Sequence, residues 1–178
     1  MKTPILETER IILRPLKVSD AQTIFDNWAS DPEVTEFMRY STHETVNTTI
    51  EWLTFEESNC NNDKYFSWGF VLKETGELFG SGGVGYKDEN NQDDFEIGYN
   101  IMKKYWGKGL VTEAMKEVIS FAFNELKLSK LYVCHAKDNI GSQRVVEKLG
   151  FTYVGDGDFT CFDGRVFQSR KYILEAPL

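Results

Sequence analysis

The segment that most constrains the fold is residues 96–126, EIGYNIMKKYWGKGLVTEAMKEVISFAFNEL. Ile97, Tyr99 and Ile101 occupy alternate positions, as in a half-buried strand, and a basic loop with two glycines follows them. Beyond the loop, apolar residues recur every three or four positions, which predicts a long amphipathic helix. A glycine loop between a strand and a helix directs several backbone N–H groups toward one point, and such a point attracts anions, phosphates above all.

The length and composition are those of one globular domain spanning residues 1–178. Hydrophobic residues make up 41% of the chain and aromatic residues 14%, enough to bury a core. Asp and Glu outnumber Lys and Arg by 28 to 20, and the formal charge of −8 disfavours broad binding to nucleic acid or anionic membranes. This charge would suit a cationic substrate, although many soluble proteins are acidic for solubility alone. The sequence leaves a monomer and a homodimer open.

The cysteines and histidines are not arranged as a metal site. Cys60, Cys134 and Cys161 are far apart and odd in number, and His43 and His135 do not combine with them at ligand spacing. We therefore expect no metal, and reduced thiols as in cytoplasmic proteins. The N-terminus has no apolar stretch of signal-peptide length, and no run of 18 apolar residues occurs. The sequence predicts a soluble protein of the cytoplasm.

A first strand and a helical block precede the strand-rich part of the chain. Residues 11–16, IILRPL, have the pattern of a strand. Residues 19–59 carry apolar positions at helical spacing, with Ser19 and Asp20 as N-cap candidates for one helix and Thr42 for another. We therefore expect several helices between the first strand and the next.

The remaining elements favour an α+β fold. Alternation predicts three strands in an antiparallel meander, with a polar turn before the third: residues 65–72, 78–87, 88–94 (the turn) and 95–101. After the long helix we predict a strand, a helix and a closing hairpin: residues 131–136, 139–149, 151–159 and 166–174. The expected architecture is a mixed, largely antiparallel central sheet flanked by helices. The strands before and after the long helix should form a right-handed parallel crossover.

Residues 80–85 match the pattern GxGxxG, but their context argues against a dinucleotide site. That fingerprint must open a helix, whereas residues 86–91, YKDENN, have turn chemistry. We interpret the glycines as strand positions against which something packs closely, and that neighbour could still be a substrate.

The loop at residues 104–109, KYWGKG, does stand between a strand and a helix. It is not a Walker A loop, because Lys108 is followed by Gly109 and not by Ser or Thr. Glycines let the backbone turn sharply without Cβ clashes. Backbone N–H groups and ammonium groups could then surround a pyrophosphate, from Lys103, Lys104, Trp106, Gly107, Lys108, Gly109 and Leu110. The same residues could instead form a simple helix N-terminus with solvated lysines.

Taken with this loop, residues 138–151, DNIGSQRVVEKLGF, resemble the Gcn5-related N-acetyltransferase (GNAT) superfamily. The superfamily's loop is R/Q-x-x-G-x-G/A, and its later signature is N-x-x-S/A-x-x-x-x-E-K-x-G-F. The RimJ/RimL-like branch, which acetylates protein N-terminal amines, is the most similar. EIGY, WGKG followed by TEA, and NxxS before EKLGF occur here in that branch's order, and the opening TERIILRPL matches it too. The resemblance covers essentially the whole chain.

The resemblance implies a GNAT fold in which acetyl-CoA lies between two splayed parallel strands, here the one ending near Ile101 and the one at 131–136. By analogy, backbone groups near the end of the first strand hold the pantetheine and thioester carbonyl, the glycine loop holds the pyrophosphate, and Asn139 and Ser142 lie beside the pantetheine and sulfur. The implied cofactor-binding residues are Tyr99, Asn100, Ile101, Lys104, Trp106, Gly107, Lys108, Gly109, Leu110, Asn139 and Ser142. Asn139 could instead be only a helix cap, and Ser142 only a small packing residue.

Two residues depart from the superfamily's pattern. Lys104 replaces the loop's first Arg or Gln, which keeps the charge but loses forked hydrogen bonding. Val146 stands where many members carry a tyrosine thought to protonate the departing thiolate. Valine cannot donate a proton, so Ser142 or a water must do so, or the thiolate leaves unprotonated. The RimJ/RimL-like branch often lacks this tyrosine as well.

The expected chemistry needs an uncharged amine, a donor for the developing oxyanion and a route for the proton. Glu96 is the candidate base, directly or through water, although a carboxylate is weakly basic at its ordinary pKa of about 4.3. Glu96 could instead face solvent or bind the acceptor's cationic amine. His135 is a second candidate, but a single strand histidine is more often structural. Tyr40, Trp68 and Tyr86 could line the acceptor groove.

The resemblance therefore implies an acetyl-CoA-dependent N-acetyltransferase that transfers the acetyl group directly in a ternary complex, without an acyl-enzyme. The expected acceptor is the N-terminal α-amine of a protein or peptide such as a ribosomal protein, whose basic character suits the charge of −8. One alternative acceptor is a small amine such as a polyamine, amino acid or antibiotic, which a closed pocket at residues 19–59 would favour over a wide groove. A non-catalytic CoA-binding regulator is a further alternative, and Val146 keeps it open.

Overall fold

The fold is built on one mixed β-sheet, against which the helices pack. The computed structural model describes residues 1–88 and 91–177. Within them the strands are β1 (Leu6–Glu7), β2 (Ile11–Arg14), β3 (Tyr65–Leu72), β4 (Leu78–Asp88), β5 (Asn91–Ile101), β6 (Lys130–Ala136), β7 (Thr152–Thr160) and β8 (Val166–Glu175). Their order is β1-β2-β3-β4-β5-β6-β8-β7, with β5 and β6 parallel and the other neighbours antiparallel. The expected mixed, largely antiparallel sheet is confirmed.

Helices lie on both faces of the sheet. They are α1 (Ala21–Ile24), α2 (Pro32–Thr35), α3 (Val46–Ser58), α4 (Leu110–Asn124) and α5 (Ile140–Lys148). A 3₁₀ turn at Val18–Asp20 precedes α1, a π-helical turn at Phe25–Ala29 follows it, and another 3₁₀ turn at Lys103–Tyr105 precedes α4. Among the described residues, no helix combines the length and the apolar character needed to cross a membrane.

One predicted helix start is confirmed and one is wrong. Asp20 is the N-cap residue of α1, but no side-chain bond caps that helix, and the Asp20 carboxylate accepts the backbone N–H of Lys17 at 2.9 Å. Thr45, not Thr42, is the N-cap residue of α3, and the Thr42 hydroxyl lies 2.6 Å from that of Thr35. Short polar side chains bond to whichever backbone or side-chain partner lies near, so the local pattern misplaced the cap of α3.

The sheet separates two apolar clusters. On one side, which we call the α4 face, α4 and α5 bury residues such as Trp68 and Met115. On the other side, the α3 face, α1 and α3 pack around residues such as Leu53. Because successive strand side chains point to opposite faces, Ile97 of β5 enters the α4-face cluster while Glu96 lies on the α3 face.

The glycines at residues 80–85 lie inside β4 and do not open a helix. A Cβ added to Gly82 would lie 2.8 Å from the carbonyl oxygen of Gly98 and 2.7 Å from the ring of Phe70. Both distances are too short for carbon, so the neighbouring strands approach as closely as they do because these side chains are absent. The interpretation of these glycines as close-packing strand positions is confirmed.

The parallel strands β5 and β6 separate soon after they meet. Glu96 and Tyr132 are in register, and no other pair joins the two strands within residues 1–88 and 91–177. Along its full length β6 pairs with β8 on its other edge. Residues 97–101 of β5 therefore present backbone groups to an opening between the strands, and the expected splayed pair is confirmed.

Most of the polar turn predicted at 88–94 belongs to strands in the structure. Asp88 and Asn91 are register partners at the ends of β4 and β5. Residues 89–90 of that prediction lie outside the described residues.

Candidate active site

The chain between β5 and α4 turns through two left-handed glycines. The φ angle is 74° at Gly107 and 75° at Gly109, a conformation that residues with a Cβ disfavour. Gly109 is the N-cap residue of the 15-residue helix α4, and no described side chain caps the N–H groups of its first turn. Leu110 buries its side chain in the core, so it offers this turn only its N–H. A helix N-terminus left uncovered in this way accepts an anion.

The lysines of this loop have carboxylate or aromatic neighbours. Lys103 donates to Glu33 and Lys104 to Glu77, each at 2.6 Å. The hydrogen bond from Lys104, reinforced by one from Tyr105, holds the pKa of Glu77 below its usual value. Exposed ion pairs of this kind are weak, so either lysine can exchange its carboxylate for a phosphate.

Lys108 and Trp106 complete the loop. The Lys108 ammonium lies 5.1 Å from the centroid of the Tyr105 ring. The Trp106 indole donates to the carbonyl oxygen of Ile101 at 3.1 Å, while 47% of the residue remains exposed. This bond ties the loop to the end of β5, so the open strand edge and the helix N-terminus form one continuous surface.

Arg10 is a neighbour of the loop that the sequence analysis missed. Its Nε and backbone N donate to the carboxylate of Glu113 at 2.6 and 2.9 Å, and its Nη1 lies 3.4 Å from the carbonyl oxygen of Lys108. Burial opposes ionisation of Glu113, but bonds from Thr8 and Arg10 outweigh it and hold the pKa of this carboxyl below its usual value. A positioned guanidinium therefore stands beside the uncapped turn. Arg10 and Glu113 belong to the TER and TEA segments, to which the sequence pointed only through the family resemblance.

Asn139 and Ser142 join α5 to β5 at the far side of the opening. The Asn139 side chain caps α5 by accepting the N–H of Ser142 at 3.0 Å. The hydroxyls of Ser142 and Tyr99 lie 2.9 Å apart, and burial raises the pKa of Tyr99, which keeps its phenol protonated. The structure thus places a hydroxyl pair where the sequence analysis expected Ser142 alone.

The side chain of Asn100 is used within the protein. Its amide nitrogen donates to the Tyr40 hydroxyl, and its carbonyl oxygen accepts the hydroxyl of Ser81 at 2.9 Å. Any contact of this residue with a cofactor would therefore be made by its backbone. The bonds hold Tyr40 on the α3 face, but it is not among the residues that line the cavity beside Glu96.

Glu96 lies on the α3 face at the last registered pair before the strands separate. Only 15% of its side chain is exposed, and its Oε2 accepts Nη2 of Arg39 at 3.1 Å. The same Nη2 lies 3.4 Å from Sγ of Cys134. Burial raises the pKa of the Cys134 thiol to about 11, and the adjacent Glu96 carboxylate adds to the shift. The thiol is therefore protonated at neutral pH.

The Glu96 side chain opens into a cavity of about 240 Å³ on the α3 face. The cavity is lined by Arg39, Glu96, Tyr132, Val133, Cys134, Asp158, Phe159, Thr160, Lys171 and Tyr172. A free amine could therefore reach Glu96 from the side of the sheet opposite to α4.

The turn between β7 and β8 holds the segment that carries Arg39. Arg165 donates to the carbonyl oxygens of Glu36, Met38 and Tyr40 at 2.9, 3.3 and 3.2 Å. The backbone N–H of Phe162 donates to the carbonyl oxygen of Arg39 at 2.8 Å. The position of Arg39 thus depends on the last hairpin of the chain. No local pattern around residue 39 could have indicated it.

His135 is buried, with its ring nitrogens 2.8 Å from the Ala136 carbonyl oxygen and 3.2 Å from the Tyr172 hydroxyl, and burial lowers its pKa. These contacts agree with the structural alternative that the sequence favoured for it. Two residues expected in the acceptor groove lie elsewhere. Trp68 is fully buried on the α4 face. Tyr86 is in register with the residue before Glu96, so alternation puts it on the opposite face.

The opening thus has the uncapped N-terminus of α4, with Arg10, at one end and the Glu96 carboxylate at the other. Between them runs the edge of β5 that β6 leaves unpaired, where the carbonyl of Ile101 accepts the Trp106 indole N–H. This combination fits a ligand that has phosphate, amide and thioester groups in one chain, and acetyl-CoA is such a ligand. No group of three or more His, Cys, Asp or Glu side chains that could hold a metal occurs in residues 1–88 and 91–177.

Comparison with known proteins agrees with this geometry. Residues 10–152 match the family model of the acetyltransferase (GNAT) domain. The chain is 32% identical over 152 residues to the uncharacterized N-acetyltransferase YoaA of Bacillus subtilis, covering 85% of each protein. It is 37% identical over 119 residues to YdaF of the same organism, named as a ribosomal N-acetyltransferase, covering 59% of this chain and 65% of YdaF.

Two further proteins bear on the acceptor and the fold. The chain is 30% identical over 147 residues to the spermidine N(1)-acetyltransferase of Escherichia coli, covering 81% of this chain and 74% of that one. The crystal structure of the ribosomal-protein-S5-alanine acetyltransferase of Vibrio fischeri superposes with a TM-score of 0.81 at 19% identity, covering 97% of this chain and 96% of that one. The second likeness bears on the fold alone.

Proposed function

This chain belongs to the GNAT acetyltransferase family and uses acetyl-CoA, and we propose that it acetylates the N-terminal α-amine of a protein or peptide. One observation carries the proposal: Glu96 stands at the last registered pair of β5 and β6, where the strands begin to separate. The groups that would donate hydrogen bonds to phosphate, at the N-terminus of α4, lie at the other end of the opening. A donor bound along β5 and an amine entering from the α3 face would therefore meet beside this carboxylate.

We propose that the glycine loop and its neighbours hold the phosphates of acetyl-CoA. The N–H groups of residues 106–110 would face the pyrophosphate, with Lys108 and Arg10 as neighbouring cations, Arg10 being positioned by its bond to Glu113. The backbone edge at residues 99–101 would hold the pantetheine amides. Bound acetyl-CoA supplies a thioester, from which the amine takes the acetyl group without an acyl-enzyme.

The proton route in this proposal uses two side-chain groups. Glu96 takes a proton from the amine, directly or through water, as the N–C bond forms. Ser142 donates a proton to the sulfur as the C–S bond breaks, and the Tyr99 hydroxyl 2.9 Å away stabilises the serine oxygen by a hydrogen bond. The proton that Glu96 took from the amine is released to water, from which Ser142 regains one. Val146 is fully buried in the core and has no proton to donate. In this proposal the hydroxyl pair therefore supports protonation of the departing thiolate.

Two observations bear on the acceptor. YdaF is named for ribosomal acetylation, and ribosomal proteins are basic, which suits this chain's charge of −8. The cavity of about 240 Å³ beside Glu96 is smaller than the roughly 300–1,000 Å³ of drug-sized sites, so it would hold the first residue or two of a peptide. The same size and the spermidine-acetylating relative favour a small amine as the second candidate. Both reactions suit the cytoplasm.

The test is thiol release from acetyl-CoA on addition of an acceptor panel. The panel contains basic peptides with a free N-terminus, the same peptides with a blocked N-terminus, and spermidine. We expect turnover with the free peptides and none with the blocked ones, whose lysine amines remain available. Turnover with spermidine alone would support the second candidate, and binding of CoA without turnover on any amine would leave a non-catalytic regulator.

A further inference from the structure

The cavity beside Glu96 contains charges of both signs. Arg39 and Lys171 contribute cations, and Glu96 and Asp158 contribute carboxylates. In the part of the chain that the structure describes, Lys171 and Asp158 form no ion pair, whereas Arg39 and Glu96 pair with each other. One cation and one anion of the cavity are therefore available to a ligand.

Arg39 also retains unused donors. Its side-chain hydrogen bonds to described residues all come from Nη2, which serves Glu96 and Cys134. The guanidinium lies 5.5 Å from the centroid of the Phe159 ring, and 43% of the Arg39 side chain is exposed, so its remaining donors are accessible to a ligand. A guanidinium has five donors in a planar fork, and a carboxylate fits two of them at once.

An incoming amine changes the electrostatics of the Arg39–Glu96 pair. The amine arrives as a cation and binds Glu96, so a purely cationic acceptor replaces one ion pair by another and leaves its own charge beside Arg39. An acceptor that also carries an anion replaces one ion pair by two, amine with Glu96 and carboxylate with Arg39. The second exchange avoids the repulsion between like charges that the first creates.

We propose that the acceptor carries a carboxylate close to its primary amine, bound by Arg39 and Lys171 while the amine lies at Glu96. This inference rests on the proposed function and specifies its substrate. The carboxylate has two sources: an acidic side chain at the first or second position of a peptide, or the α-carboxylate of a free amino acid. Arg39 and Lys171 are specificity-determining residues in either case.

Matched peptides test the preference. Two peptides that differ only by Asp or Asn at the second position have similar amine basicity, so their kcat/KM ratio reports recognition of the carboxylate. We expect the wild-type protein to prefer the Asp peptide by about tenfold or more, the effect of one charged hydrogen bond. Free aspartate and alanine in parallel assays distinguish a peptide from an amino-acid acceptor.

Variants then assign the preference to residues. Arg39→Gln should reduce the Asp/Asn ratio to near one, Lys171→Gln should lower it in part, and Arg39→Lys should retain part of it because the charge remains without the fork. Lys116→Gln, which removes an exposed cation of α4, is the matched control and should keep the wild-type ratio. Calorimetry with CoA shows that each variant retains its fold and cofactor binding.

The possible results distinguish a failure of this inference from a failure of the proposed acetyltransferase function. Turnover on peptides with no preference for Asp, or a preference that survives in Arg39→Gln, overturns the inference and leaves the acetyltransferase proposal standing. Absence of turnover on every amine overturns both. A preference for spermidine over every acid-bearing acceptor also overturns the inference.

Discussion

Nη2 of Arg39 donates to Oε2 of Glu96 at 3.1 Å. The two residues are 57 positions apart, and their contact lies on the α3 face, where the strands β5 and β6 begin to separate. Glu96 comes from the centre of the sheet, and Arg39 from a segment that the β7–β8 turn holds in place. The carboxylate that we propose as the base therefore has a cation as its resting partner. The acceptor's amine must replace that partner before a proton can move.

Glu96→Gln should lower kcat by about 10²-fold or more, since it removes the proposed base and leaves a side chain of equal size. CoA affinity should remain nearly unchanged, because the proposed phosphate and pantetheine contacts lie on other residues. Steady-state kinetics across pH and calorimetry with CoA measure the two effects. A variant with the wild-type pH–rate profile would exclude Glu96 as the base.

Gly107→Asp should abolish CoA binding, because it puts a carboxylate beside the proposed pyrophosphate site and forces a left-handed φ of 74° on a residue with a Cβ. Gly76→Asp is the matched control: φ is 72° at Gly76, a Cβ there also meets no described atom within 4 Å, and the residue lies in the β3–β4 turn. Both variants should lose similar stability in thermal unfolding. Equal CoA affinity in the two would refute the placement of the phosphates.

Arg10→Gln should weaken CoA binding by about tenfold, the loss of one charged hydrogen bond. Acetyl-pantetheine lacks the phosphates, so its KM should change much less than that of acetyl-CoA. Calorimetry at two salt concentrations adds a second measurement, since a phosphate contact weakens with salt. Equal increases in the KM values of acetyl-CoA and acetyl-pantetheine would mean that Arg10 only supports the loop, through its contacts with Lys108 and Glu113.

Tyr99→Phe should lower kcat without a matching rise in the KM for acetyl-CoA. The change removes the hydroxyl that lies 2.9 Å from that of Ser142 and leaves the ring in place. Ser142→Ala should lower kcat as well, and the double variant should be no slower than the slower single one, since the two hydroxyls act as a unit. Fully additive losses would contradict a shared proton route.

The Asp163 carboxyl predicts a pH dependence of stability. The hydroxyl of Ser41 donates to it at 2.7 Å, and this bond, with those from Arg165, lowers its pKa from 3.8 to about 2. A depressed folded-state pKa means that the contribution is present above pH 3.8 and is lost as pH falls toward 2. Thermal unfolding of wild type and Asp163→Asn should therefore differ at pH 7 and converge below pH 3.8. A pH-independent difference would exclude ionisation as its origin.

Elements that depend on nearby residues were predictable from the sequence. The alternation in β5, the helical spacing in α4 and the Asn139 cap each involve partners a few positions away, and all three are present. The left-handed glycines of the loop belong to the same class, because their φ is a property of the local turn. The cap of α3, predicted at Thr42 and present at Thr45, shows the limit: a short polar side chain satisfies several local geometries, and the folded surroundings choose among them.

The sequence by itself thus determined the donor side of this protein: a strand, a glycine loop and a helix, which we propose to hold the phosphates. Only the tertiary structure decided the acceptor side. Arg39 reaches Glu96 because the last hairpin holds its segment, and Arg10 reaches the loop through Glu113, 103 positions along the chain. The physical reason is range: backbone conformation and periodicity act between near neighbours, whereas ion pairs between distant segments exist only after the sheet has brought those segments together.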